Sequence, residues 1–148
     1  MNARGFKPFF SRSKGITLSG PVLIELIRAV HEKGGAFKFR ATGFSMHPAI
    51  VDGDRVLIDP PGNSAPAIGD IAAFIQPETG GLAIHRIIGK NGDSYLLKGD
   101  NALEADGYVP QTDILGLVRV VERTGWNRLL HVLRKARWHV CSMGDKGS

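Results

Sequence analysis

Along the chain, the spacing of apolar and polar residues changes character twice. Between residues 21 and 30 the apolar positions recur at helical intervals, so that Val22, Leu23, Leu26, Ile27 and Val30 share one face. Ser19 stands where an N-cap is needed and Gly34-Gly35 where a helix would stop, which predicts an amphipathic helix over 20–33. Beyond the glycine pair the texture becomes strand-like. Short apolar stretches at 36–42, 55–59, 70–76, 82–89, 94–98 and 114–121 are divided by Asp52-Gly53, Pro60-Pro61-Gly62-Asn63, Gly80-Gly81 and Gly99-Asp100-Asn101. Asn91-Gly92, set between Ile87-Ile88 and Tyr95-Leu96-Leu97, is a hairpin signal. Over 126–139 the spacing turns helical again, with Leu129, Leu130, Val132 and Leu133 among arginines. The expected architecture is a mostly β domain between an N-terminal and a C-terminal helix. Its parts are a basic N-terminal segment with its helix (1–35), a β-domain (36–122), and a basic C-terminal helix and tail (123–148).

The length of 148 residues, 43% of them hydrophobic, supports one domain with its own core. The net charge of +5 is confined to the ends. Arg4, Lys7, Arg12 and Lys14 precede any acid, and Arg123, Arg128, Arg134, Lys135 and Arg137 follow one another without one. Between them the chain is net acidic, which argues against nucleic acid as a partner along the core. The ends are either solvated or face something anionic. Trp126 and Trp138 among basic residues suit reversible contact with an anionic membrane surface; packing on the core is the alternative. Glu25 and Arg28 interrupt the N-terminal apolar stretch, so it is neither a membrane span nor a signal peptide's apolar region. The expectation is a cytoplasmic chain, with peripheral membrane contact as its further reach. Cys141 is the only cysteine, which excludes a disulfide framework and a cysteine-based metal site.

Three places could carry chemistry. Ser45 lies in Gly43-Phe44-Ser45-Met46-His47-Pro48 after a strand-like stretch. Glycine permits a sharp turn with accessible amide groups, and proline stiffens the exit, which suits a serine presented beside an oxyanion hole. A plain turn serine is the simpler reading. His85 lies in a convincing strand, on one face with Ala83 and Ile87, while Arg86 shares the other with Ile84 and Ile88. A half-buried structural histidine is its simpler reading. His47 is a rival base, but side chains two apart in an extended turn rarely face each other; a place in the substrate site suits it better. His31, His131 and His139 fall on expected helices without ligand spacing. Asp100 and Asp106 follow the strand ending at Lys98, and either could orient a histidine by accepting its ring N–H.

The order of these motifs says more than any one of them. Gly43-x-Ser45-Met46-x-Pro48 is followed by Gly53-Asp54, Gly69-Asp70-Ile71, His85-Arg86, Lys98-Gly99-Asp100-Asn101 with Asp106 beyond, and Ile114-x-Gly116. Over 37–121 the chain resembles the type I signal peptidases, within the larger group that includes the self-cleaving repressor peptidases. Histidine at the second position resembles the endoplasmic-reticulum and archaeal branch, where the usual bacterial branch has lysine. The resemblance implies a twisted, mostly antiparallel β-fold with a groove for an extended peptide or protein substrate. It implies Ser45 as nucleophile, His85 as general base and Asp106 as the triad acid, with Asp100, Gly43 and Met46 in support. No metal or organic cofactor is implied.

The chain departs from the family pattern in two ways. An amphipathic helix stands where membrane-type members have an anchor, and Gly43 stands where many have a hydroxyl residue that helps bind the oxyanion. Backbone N–H groups, that of Ser45 included, would then hold the oxyanion. Two other classes remain open: a self-processing regulator, with Gly35-Ala36 as a cleavage region, and a non-catalytic peptide-binding module of the same fold.

Overall fold

The computed structural model, which describes residues 19–123 and 130–132, gathers the strand-like stretches into one antiparallel sheet. Helix α1 (Gly20–Glu32) leads into β1 (Phe37–Arg40), β2 (Arg55–Asp59), β3 (Ile71–Ile75), β4 (Leu82–Asn91), β5 (Ser94–Lys98), β6 (Gly107–Pro110), β7 (Ile114–Glu122) and β8 (Leu130–Val132). The strands lie in the order β1-β2-β7-β3-β4-β5-β6, and β8 pairs with β7. The expected stretches 55–59 and 94–98 and the observed β2 and β5 agree residue for residue. Asn91 faces Ser94 across a two-residue turn, Gly92-Asp93, so the turn sits one residue beyond the Asn-Gly pair; Gly92 takes a φ of 57°, the positive φ that tight hairpin turns require at their first position.

Because successive side chains point to opposite faces, the sheet has two cores. Ile71, Ala73, Leu82 and Ile84 join α1, β1, β2 and the segment containing Met46 and Ile50 in the first. Ala72, Phe74, Ile87, Tyr95, Leu97 and Val109 form the second. The first is closed by α1, which buries Gly20, Leu23, Ile24 and Ile27. That stripe sits one position round from the predicted face, for Val22 and Leu26 are 46% and 40% exposed. Its own spacing of three and four residues continues to His31, which is what meets the sheet. Each of the three buried leucine and isoleucine side chains contributes about 1.5–3 kcal/mol of transfer free energy.

His31 fixes where α1 docks. Its Nδ1 lies 3.0 Å from the Leu115 carbonyl oxygen and its Nε2 3.2 Å from that of Ile58. Both contacts fall beside register shifts in the sheet, where Arg119 is the extra residue opposite Leu57/Ile58 and Leu115 the one opposite Ala73/Phe74. Between them, Gly116 leaves the space the ring enters: a Cβ there would meet His31 Cε1 at 3.0 Å and the Asp59 backbone oxygen at 2.2 Å.

The C-terminal helix expected over 126–139 needs correction. Residues 130–132 form β8, with Leu130, His131 and Val132 opposite Glu122, Val121 and Val120; the rest of that stretch lies outside the described residues, as does the membrane contact assigned to it. β3 covers β7 only as far as Leu117, so β7 offers further backbone groups that a short strand can pair. A brief apolar run such as Leu129–Leu133 does not distinguish helix from strand by spacing alone. β6 was not predicted because Gly-Tyr-Val-Pro is short and ends in proline, which a sheet tolerates at its edge, where β6 lies. Among the described residues, no helix is long and apolar enough to cross a membrane.

Gly116→Ala should destabilise the fold by about 3 kcal/mol, the upper end for overpacking, since the clash is with backbone that cannot swing aside. Equilibrium denaturation in urea measures it.

Candidate active site

The serine segment begins where β1 ends. Ala41 continues the hairpin by donating to the Asp54 carbonyl, and Gly53 N–H returns to Ala41. Gly43, at φ 98°, then turns the chain in a conformation that a side chain would strain. Its N–H donates to Asp52 Oδ1 at 2.8 Å, so this amide is already engaged. Met46 is 4% exposed and anchors the turn in the first core, while its neighbours Phe44, Ser45 and His47 are exposed. Arg123 Nη2 adds a bond of 2.9 Å to the Pro48 carbonyl. Ser45 N–H has no hydrogen-bond partner among the described residues.

His85 projects from β4 on the face of the second core, its ring centroid 5.8 Å from that of Phe74. Its Nδ1 lies 2.5 Å from Asp106 Oδ2, and its Nε2 lies 3.1 Å from Ser45 Oγ. An ionised carboxylate only accepts, so Nδ1 carries the ring proton and Nε2 is left to accept from the Ser45 hydroxyl. The His85 and Asp106 side chains are 12% and 9% exposed. Water therefore has little access to that bond, while Ser45 remains open to a substrate.

The turn after β5 holds the two halves together. Asn101 N–H donates to the Ser45 carbonyl at 2.8 Å and Asn101 Nδ2 to the Phe44 carbonyl at 3.2 Å. Asp100 N–H meets Met46 Sδ at 3.4 Å. Gly99 is buried between the partners: a Cβ on it would lie 2.6 Å from the Ser45 backbone oxygen and 3.2 Å from His85 Nε2. Arg86, next to His85 but on the opposite face, clasps Asp100 through Nε and Nη2, both at 2.8 Å, and gives Nη1 to the Gly69 carbonyl.

The structure thus brings Ser45, His85 and Asp106 into one hydrogen-bonded line, with Gly43 and Met46 shaping the serine turn. Asp100 meets Arg86 instead of His85. The rival base His47 is exposed and makes no bond to Ser45 among the described residues. Sequence reading did not select Gln76, whose Nε2 donates to Asp106 Oδ1 at 3.2 Å, nor Asn101 as a tether. Nothing in Gln76-Pro77-Glu78-Thr79-Gly80-Gly81 distinguishes it from an ordinary turn. Among the described residues, no cluster of His, Cys, Asp or Glu could hold a metal ion.

A search of curated proteins finds no match to this chain. A family model does match: Peptidase S24-like, over residues 12–119, which takes in α1, the serine turn, His85, both aspartates and the first two thirds of β7. With most of its length matched and an antiparallel β-fold of this kind, the chain belongs to the Peptidase S24-like family and so to the peptidase-type hydrolases.

Proposed function

We propose that the chain is a serine endopeptidase of signal-peptidase type, with Ser45 as nucleophile, His85 as general base and Asp106 as the acid that orients His85. One observation carries this: the continuous line from Ser45 Oγ through both ring nitrogens of His85 to Asp106. Ser45 Oγ bonds to the scissile carbonyl carbon as its proton passes to His85 Nε2. When the C–N bond breaks, the same nitrogen returns that proton to the leaving amine, and a water then repeats the sequence to release the acyl group. Asp106 holds the tautomer and stabilises the imidazolium that forms between these steps.

The oxyanion would rest on Ser45 N–H, which has no partner among the described residues, while Gly43 N–H is committed to Asp52. A missing second donor typically weakens transition-state binding by about 3 kcal/mol, so modest turnover is expected. An extended substrate fits beside β4. Residues 82–85 pair with β3 on one side, and β5 covers the other side only from Arg86 onward. A peptide added to that edge would pass Ser45 as a further strand, with small residues preferred before the cut, as the family resemblance implies.

Self-processing at Gly35-Ala36 fits the structure less well than cleavage of a separate chain. Gly35 N–H is bonded to the Val30 carbonyl, and β1 lies between this dipeptide and the serine turn. Four strand residues span roughly 13 Å, so the bond would have to leave its place for Ser45 to reach it. Intact mass after incubation decides between the two.

Ser45→Ala should abolish cleavage of a peptide library and labelling by a fluorophosphonate, with the melting temperature unchanged, because the exposed hydroxyl acts chemically and packs on little. Undiminished cleavage by the purified variant would end this reading, and a wild-type chain that neither takes the label nor cleaves would point to a binding module. Asp106→Asn should lower kcat about 10⁴-fold by favouring the wrong tautomer, whereas Asp100→Asn should cost much less, since it faces Arg86. Gly99→Ala should reduce kcat/KM about 100-fold, the usual penalty for displacing reacting groups by an ångström. Steady-state kinetics on the best library peptide tests both.

A further inference from the structure

The triad line does not end at Asp106. Its Oδ2 receives His85 Nδ1–H, and its Oδ1 receives Nε2–H of Gln76, at the end of β3. The orientation of the Gln76 amide is fixed at both ends. Asp106 Oδ1 can only accept, so it requires the NH2 group, and Gln76 Oε1 in turn accepts from Thr79 Oγ1–H at 2.9 Å. Thr79 Oγ1 accepts from the Gly81 backbone N–H at 3.2 Å. Every bond in the row therefore points the same way, from Gly81 N–H through Thr79 and Gln76 to Asp106.

The turn that carries this row is itself tightly held. Gln76 N–H donates to the Gly81 carbonyl and Gly80 N–H to the Gln76 carbonyl, each at 2.8 Å, and Gly80 takes the left-handed φ of 65° that closes the turn. The stem of the same hairpin, β3 with β4, carries His85. One hairpin thus supplies the base and, from its tip, the group that fixes the acid, although Asp106 belongs to the segment before β6.

We propose that Gln76 and Thr79 are positioning residues, which hold the Asp106 carboxylate in the rotation that keeps the proton on His85 Nδ1. The physical need is plain. Rotation about a terminal carboxylate torsion is soft, and Asp106 is 9% exposed, so water does not readily replace a donor lost from its carboxylate, although the Thr79–Gln76 bond further out is exposed. Without Gln76, Asp106 keeps one bond, turns more freely, and fixes the histidine tautomer less well. This inference rests on the catalytic reading of Ser45 and His85, but it has a readout of its own.

The experiment compares wild type with Gln76→Leu, Thr79→Val and Thr79→Ser. A fluorophosphonate gives the maximal inactivation rate and the half-saturating concentration at Ser45, and proton–nitrogen NMR follows the His85 Nδ1-bound proton. Gln76→Leu should lower the maximal rate about tenfold, the scale of one hydrogen bond to a charged group, with half-saturation and melting temperature unchanged. Thr79→Val should lower it several-fold, and Thr79→Ser, which keeps the hydroxyl, should match wild type. The Nδ1 proton should exchange faster with water in the Leu and Val variants alone. Equal losses in Thr79→Val and Thr79→Ser would overturn the proposal, as would a rate that merely follows the melting temperature. If wild-type Ser45 takes no label, the catalytic reading fails by itself. The NMR arm still decides the hydrogen-bond row: a His85 signal unmoved in Gln76→Leu would remove it.

Discussion

The buried contact of Gly99 with the Ser45 backbone is what the rest of the site depends on. Here two segments far apart in sequence approach so closely that even a methyl group would lie 2.6 Å from a backbone oxygen. The hydrogen bonds around it, Asn101 to Ser45 and to Phe44, contribute about 1 kcal/mol each at most in net terms. The Arg86–Asp100 clasp has good bidentate geometry, but its side chains are 14% and 20% exposed, so solvent screens part of its attraction. None of these alone sets the distance from serine to histidine. The missing side chain permits the approach, and the bonds select one register within it.

That contact also joins the two cores. Met46 and Ile50 root the serine turn in the core beneath α1, whereas His85 stands over Phe74 in the other, and Asp106 leads into β6, whose Val109 belongs to that second core. Ser45 and His85, carried on opposite faces of one sheet, can meet only at its margin. They do so where β5 no longer covers β4, next to the edge of 82–85 that faces away from β3. The docking of α1 through His31 and Gly116 supports this from a distance, because it fixes the face on which Met46 packs.

Much of this was legible in the sequence, for reasons that also explain what was not. Short apolar stretches bounded by turn residues located β2 and β5 residue for residue, and strand alternation put His85 and Arg86 on opposite faces of β4. The order of motifs carried the family resemblance, and that resemblance implied Ser45, His85 and Asp106 together. Alternation could not show β6, too short and proline-ended to stand out, or β8, which takes its form from backbone groups that β7 offers. Helical spacing gave α1 its apolar side but misjudged by one position which part of it would be buried, since His31 and the sheet's irregularities decide that. The roles of Asp100 and Asp106 separate only in three dimensions. Both follow the same strand, and what divides them is that the nearer one turns toward Arg86 and the farther one toward His85. Gln76 was invisible because its partner lies 30 residues on.

With His85 as the proposed base, the kind of base would explain why orientation is so thoroughly built in. A lysine in that position would need its charge suppressed by burial before it could accept a proton, and the protein's work would be desolvation. A histidine needs no such suppression. Its difficulty is that it has two nitrogens, and only one tautomer offers a lone pair to serine. The structural effort should then go into acceptors for the far nitrogen and into holding those acceptors still. That is where this chain places its polar groups: a carboxylate 9% exposed on Nδ1, an amide on that carboxylate's other oxygen, and a hydroxyl fixing the amide. If His85 were merely a packed histidine at a strand's edge, one acceptor would satisfy it. A row of oriented donors behind that acceptor is what holding the ring proton in place would call for.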